Sequence, residues 1–492
     1  MRRTASRLLP FSPLLLIAAT LVFLAFYKPQ STFLPSGVPF ENPPEIVSVN
    51  GTLHATLAPK LTEFEVGGQK VRATIYNGLY MPPVLRVNPG DTIRINLDNE
   101  LSEKTNLHTH GLNVSPLGNS DNVFNIVSPS QDFEMKIDIP LSHPPGLFWY
   151  HPHIHMEAEH DVLSGMSGGL IVNGIRDPLP QELRDAKEQI LLLKDIAIDN
   201  GQIPDDIDPS DPGIRTVNGL LNPTITIQPG ETQFWRIGNI GADKYYKLVL
   251  EGHTFYELAT DGNRHNKIVT KQVDLIPPSS RSEVFIQGGT PGTYKLKALA
   301  FNTGPQGDNY PETTMATLVV KGPAQEPFTI PKNLPPVEDL RNQPIDVHRT
   351  IVFSETPDGN TFFVNGQEFG MNRIDTIVKL GSLEEWTIRN ISGELHVFHI
   401  HQLDFQVTQI NGVNQPFIGY QDTINVPVQG RVKVLIPFTD PVIVGKFVYH
   451  CHILEHEDKG MMAVIQVRDP ANPQLGNDQQ IRGVAMPDMH DH

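Results

Sequence analysis

Cysteine is almost absent: Cys451 is the one thiol in 492 residues, so no disulfide can form within the chain. A free cysteine is by default a small buried hydrophobe, and whether this one is more depends on its neighbours. Positive charge is also scarce. Asp and Glu outnumber Lys and Arg by 55 to 38, a formal net charge of −17. That balance excludes the basic face that nucleic-acid binding requires. The acidic surplus serves solubility first and mildly attracts cations.

Length alone points to about three domains. Glycine (39) and proline (43) punctuate many short Val/Ile/Thr runs, a composition that favours an all-β protein. Residues 1–30 stand apart from the fold. Arg2, Arg3 and Arg7 precede an almost wholly apolar run from Phe11 to Tyr27, which reads as a signal peptide or an amino-terminal membrane anchor. The run is slightly short for a full span and no Ala-x-Ala site follows it, while Arg2-Arg3 hints at twin-arginine export. The expected location is therefore periplasmic or extracellular, free or anchored by the amino terminus. Residues 31–44 read as a linker.

Two markers then repeat three times. Val87-Asn88-Pro89-Gly90-Asp91-Thr92, Ile227-Gln228-Pro229-Gly230-Glu231-Thr232 and Val378-Lys379-Leu380-Gly381-Ser382 each lead into an alternating strand that ends at asparagine: Asn99, Asn239 and Asn390. An Asn-Gly turn signal precedes each one, at Asn77-Gly78, Asn218-Gly219 and Asn365-Gly366. A second element, Gly146-Leu147-Phe148-Trp149-Tyr150, resembles Gly292-Thr293-Tyr294-Lys295-Leu296 and Gly445-Lys446-Phe447-Val448-Tyr449. Both markers recur at spacings of 140 to 153 residues, which predicts three tandem copies of one β-sandwich over residues 45–180, 181–330 and 345–470, followed by a tail at 471–492. Leu183–Leu193 reads as a short helix or as a linker followed by a strand.

Ten of the nineteen histidines fall in four clusters: His108-Thr109-His110, His151-Pro152-His153, His396-Val397-Phe398-His399-Ile400-His401, and His450-Cys451-His452 with His456. On a strand, residues i and i+2 share a face. His108/His110, His151/His153, His399/His401 and His450/His452 therefore each present two imidazoles to one side, eight in all. Cys451 faces the other way, toward His396, His456 and Met461, with Met462 as the fallback if the register slips. Two imidazoles, a thiolate and a distant thioether form the pattern of an electron-transfer copper. Zinc favours four tight tetrahedral ligands, often several of them cysteines, and fits poorly. The middle copy has only His253 and His265 and is expected to be structural. These two and seven other histidines, among them His155 and His160, take the ordinary reading of satisfied or surface residues.

In these four motifs and their order, over about residues 45–470, the chain resembles the three-domain multicopper oxidases, the group of laccases, bilirubin oxidases and cuprous oxidases. The resemblance implies cupredoxin-like Greek-key domains and four copper ions. His396, Cys451, His456 and the axial Met461 resemble the type 1 ligands. His108 and His399 resemble the type 2 ligands. His110, His151, His153, His401, His450 and His452 resemble the ligands of the type 3 pair. It further implies one-electron oxidation of a phenolic, aromatic or low-valent metal-ion donor, coupled to four-electron reduction of dioxygen to water, in a chain taken as monomeric. Family carboxylates that supply protons match Glu457 and Asp121. Thr109, Pro152 and Val397 depart from the commoner motif residues without removing a ligand, and no methionine-rich insert is present. Alternatives are a copper-resistance or copper-sequestering protein with cuprous oxidase activity, or a structural member of the fold. Structural members lose the ligands, and here none is lost.

Overall fold

The computed structural model describes residues 37–204, 207, 210–476 and 479; the expected signal or anchor at 1–30 lies outside them. Strand dominates, and the α-helices among the described residues are three short ones, Ala158–Ser164, Gln181–Arg184 and Leu454–Asp458, with two single-turn 3₁₀ helices besides. Among these residues no helix is long and apolar enough to cross a membrane. The segment read as helix or linker-plus-strand is a helix, Gln181–Arg184, followed by the strand Lys187–Ile196.

Three cupredoxin-like sandwiches follow one another. The middle and third share one plan, a six-stranded sheet facing a five-stranded sheet, with the strands in the same spatial order. In each copy the opening strand pairs in parallel with the strand after the Gly turn: Thr52 opposite Thr92, Lys187 opposite Gln233, and Val347 opposite Glu384. Strands adjacent in space but remote in sequence mark Greek-key connections. The three Asn-Gly pairs all adopt positive φ at both residues, as a tight turn between twisted strands requires. Each asparagine side chain then accepts from a main-chain N–H of its copy's opening strand or the loop after it: Asn77 from Ala58, Asn218 from Leu192, and Asn365 from Val352, each at 2.8 Å. The turn signal is thus also a cross-strand clamp.

Each sandwich closes on its own buried cluster, around Ile93 and Ile95, around Trp235 and Ile237, and around Trp386 and Ile388. Alternation shows the difference between them. In Thr92–Asp98 every second residue is buried, whereas in Thr232–Asn239 all eight are. The middle sheet is covered on both faces because the first sandwich packs on it: Leu147 meets Gly238, and a Cβ on Gly146 would collide with the backbone of Gly262.

Register positions the histidines. The short strand His108–His110 runs antiparallel to Gly146–His151 with His108 opposite His151. In the third sandwich His396–Ile400 runs antiparallel to Gly445–Cys451 with His399 opposite His450 and Phe398 opposite Cys451. Both strand pairs therefore end in facing imidazoles.

Candidate metal centre

Four groups of metal-capable side chains occur among the described residues, all buried: His108/His110/His399, His110/His151/His452, His153/His401/His450 and His396/Cys451/His456. The first three use the eight paired histidines. Each draws on both the first and the third sandwich. The members of one His-x-His pair are about 6.6 Å apart at the backbone, and of the four pairs only His108 and His110, which share the first group, bring their ring nitrogens close enough to serve one ion. His151 and His153 fall in different triads, as do His450 and His452.

The inner nitrogens face one another with no acid between them. His401 Nε2 and His153 Nε2 lie 3.1 and 3.4 Å from His450 Nε2, and His452 Nε2 lies 3.1 Å from His110 Nδ1. The Nε2 atoms of His108, His151 and His399 are buried and lack a partner among the described residues. Their outer nitrogens are held instead. His108 Nδ1 meets Asp121 at 3.1 Å, His151 Nδ1 meets Pro152 O at 2.8 Å, and His399 Nδ1 meets Asp422 O at 2.9 Å. Burial lowers the pKa of every one of the eight, with neighbouring imidazoles adding to the effect on most of them; His153 and His450 come down to about 4. Eight buried imidazoles with lowered pKa, several fixed by their outer nitrogens and converging through their inner ones, suit a multinuclear metal site.

On the other face of the same strand, Cys451 Sγ lies 3.5 Å from His456 Nδ1 and 3.7 Å from His396 Nδ1. The main-chain N–H of Val397 points at the sulfur from 3.3 Å. Phe362 stacks on His456 at 4.2 Å. Met461 is fully buried in the core cluster that contains Cys451 and Phe362, whereas Met462 turns into a separate cluster with Val123 and Phe124.

Three sequence profiles described as multicopper oxidase match residues 60–177, 149–323 and 341–471, together most of the chain. The chain belongs to the multicopper oxidase family. It is 27% identical to the multicopper oxidase Mco of Staphylococcus aureus over 80% of this chain and 83% of that protein. It is 25% identical to the cell division protein FtsP of Shigella dysenteriae over 87% and 92%. Among solved structures, a Campylobacter jejuni multicopper oxidase described as a metallo-oxidase superimposes with a TM-score of 0.78 at 28% identity, covering 88% of this chain and 96% of that one.

Both acids expected in this multicopper oxidase lie at the imidazole groups. Glu457 is fully buried, 2.8 Å from His450 Nδ1 and 3.3 Å from His153 Nδ1. Asp121 contacts His108 Nδ1 and accepts from Thr109 N–H at 3.0 Å and Gln402 Nε2 at 2.7 Å. Burial raises the pKa of both, and that of Asp121 reaches about 7. His143, His253 and His265, given the ordinary reading, each have a hydrogen-bonding partner of their own. Half-buried His155 packs edge-on against Phe369.

Sequence reasoning missed three residues. Glu394 Oε1 lies 3.2 Å from His456 Nε2, and Ser392 Oγ lies 2.6 Å from His396 Nε2. Their closeness to His396 in the chain was the available signal. Asp422 abuts His399 and His110, and nothing in its local sequence announced that.

Proposed function

We propose that this chain is a four-copper oxidase that takes electrons singly from a small reductant and delivers four to dioxygen, forming two waters. The observation that carries the reading is the tripeptide His450-Cys451-His452, whose thiol faces one ligand group while its imidazoles enter two others. His396, Cys451, His456 and Met461 would hold the type 1 ion. His108 and His399 would hold the type 2 ion. His110, His151 and His452 would hold one type 3 ion, and His153, His401 and His450 the other. Copper bound there supplies the one-electron redox chemistry that side chains lack, at a potential tuned by the weak thioether ligand and the N–H directed at the thiolate.

The protein supplies the rest. The chain from Sγ of Cys451 to its neighbouring imidazoles is a short covalent link between the two sites. Glu457 orients His450 and His153 through their Nδ1 atoms and, its pKa raised by burial, is placed to pass on a proton beside the cluster. Asp121 does the same behind His108. Phe362 and the surrounding core keep water from the thiolate. The sandwich limits 45–180, 181–330 and 345–470 stand as working boundaries, testable by limited proteolysis, and export by the amino-terminal segment is part of the same reading.

The donor is read from Glu394. His456 is almost wholly buried, and its outward nitrogen is capped by this carboxylate. Glu355 approaches the same carboxyl group; burial, then Glu394, raises its pKa, whereas for Glu394 burial is outweighed by His456, Glu355 and His396 together, which lower its pKa. Two acids at the outer edge of an electron-accepting site suit a small cation better than a phenol ring. A low-valent metal ion is therefore the favoured donor, and the likeness to the Campylobacter metallo-oxidase supports it. The second reading, a structural role suggested by the likeness to FtsP, is weakened by the complete ligand set. Oxygen uptake by copper-loaded protein with cuprous ion, ferrous ion and a phenolic dye separates these. Metal-ion turnover well above phenol turnover is expected; no oxygen uptake with any donor would sink the oxidase reading.

A further inference from the structure

The middle sandwich holds none of the paired histidines, yet one of its side chains ends beside them. Arg281 is completely buried and touches all three sandwiches. Its Nε donates to Leu147 O of the first at 3.0 Å, its Nη1 donates to Ser279 O of its own at 3.1 Å, and both terminal nitrogens grip Asp422 of the third, Nη1 to Oδ1 at 2.9 Å and Nη2 to Oδ2 at 2.6 Å. The main-chain N–H of Arg281 is pinned in turn by Asp261 at 2.8 Å. A two-pronged guanidinium fixes the plane of a carboxylate in a way that a lysine does not. Thr423 Oγ1 donates to Asp422 Oδ1 at 2.8 Å and completes the clamp.

Gly111 makes room for the pair. It follows His110 with φ of +85°, and a Cβ there would lie 2.5 Å from Arg281 Nη2 and 2.6 Å from Asp422 Oδ2. The glycine of the first histidine motif is therefore required by a contact made from another sandwich.

Asp422 addresses two imidazoles in opposite senses. Its main-chain oxygen takes the Nδ1 proton of His399 at 2.9 Å, which leaves Nε2 free. Its Oδ1 lies 3.5 Å from Nε2 of His110, a charge–dipole contact that favours the proton on that nitrogen and leaves Nδ1 free, facing His452. The two rings stack at 4.0 Å with 17° between planes, so neither turns without the other. A neutral imidazole carries one proton, and the acceptor that takes it decides which nitrogen is left for a metal.

We propose that Arg281 and Asp422 are positioning residues that select the metal-binding nitrogen, Nε2 on His399 and Nδ1 on His110, so that the ligand-free middle sandwich sets the geometry of the cluster. This rests on reading the eight imidazoles as a three-copper site.

The test compares wild type with Asp422→Asn, Arg281→Gln and Arg281→Lys. Each is loaded with copper and assayed for copper per chain, blue thiolate absorption and the type 2 paramagnetic signal, and the metal-free forms are melted. Asp422→Asn keeps the shape and the main-chain carbonyl but loses the facing charge. It is expected to bind cluster copper about 10–100-fold more weakly, with an altered or lost type 2 signal and an intact blue band, while the metal-free melting temperature falls because buried Arg281 loses its paired charge. Arg281→Gln follows it, and Arg281→Lys recovers part. Wild-type copper content and an unchanged type 2 signal in Asp422→Asn would overturn the proposal, and that variant decides alone if Arg281→Gln does not fold. Wild-type protein that takes up no cluster copper brings down the underlying reading as well, and is recognised before any substitution is made.

Discussion

The two faces of His450-Cys451-His452 look onto different kinds of surroundings. The thiol face draws its metal-capable side chains from one sandwich, although Tyr245 and Tyr310 of the middle one pack into the same core cluster. His396, Cys451, His456 and Met461 all come from residues 396–461, with Phe362 of the same sandwich stacked on His456, and every one of those positions belongs to the core or border of a single domain. The imidazole face is closed by two sandwiches that supply the clustered histidines and braced by a third that supplies Arg281. A site built inside one domain forms when that domain folds. A site built between domains forms only when they dock, and it inherits every weakness of the docking surface.

Substitutions sharpen this contrast if each breaks one site and spares the other. Cys451→Ser has the largest expected effect: blue absorption and oxygen uptake both vanish while copper at the imidazole triads stays, seen by absorption spectrum and copper assay on one sample. Sustained turnover without the thiol would contradict the division. Glu457→Gln should lower turnover about 10²–10⁴-fold with copper content and the blue band unchanged. Loss of copper instead would recast Glu457 as a support for His450 and His153 alone.

Gly111→Ala should do the reverse of the cysteine change. The added Cβ collides with Arg281 and Asp422, and the positive φ adds about 1–3 kcal/mol of strain. Cluster copper should be lost and the metal-free melting temperature should fall, with the blue site retained. A variant that loses the blue band in step would mean that the two sites do not form independently.

The smallest expected effect concerns pH. Asp404 lies where the three sandwiches meet, bonded by Asn113 of the first at 2.7 Å and Asn263 of the middle at 2.9 Å. Burial, aided by nearby Asp422, pushes it up to about 7 from 3.8. The folded value lies above the unfolded one, so its contribution to stability is complete below about pH 4 and is lost as the pH climbs to about 7. Melting temperatures of metal-free Asp404→Asn should therefore fall less than those of wild type across that range; parallel curves would remove Asp404 from the account.

Much of this was legible beforehand because the relevant signals are local. Strand alternation put Cys451 and its neighbours on opposite faces, a rule that needs only three consecutive residues. Asp121 and Glu457 were reached through the family resemblance rather than a local rule, and their contacts with His108, His450 and His153 are made across the fold. The three Asn-Gly turns and the strands after them repeat because each copy solves the same closing problem. Glu394 and Ser392 were missed although they sit beside His396, since a turn residue's direction depends on backbone bends that composition does not encode. Arg281 and Asp422 left no local trace at all. Their contact joins segments of different sandwiches, and an arginine in a strand otherwise reads as an edge or a solvated position.

The sequence by itself determined the candidate donors, the face on which each lies and the number of sandwiches, because side-chain chemistry and the two-residue period of a strand are properties of short segments. Only the tertiary structure decided which imidazoles meet. His110 joins His151 and His452, while His153 joins His401 and His450, because these rings find their company across a docking surface that no short segment specifies.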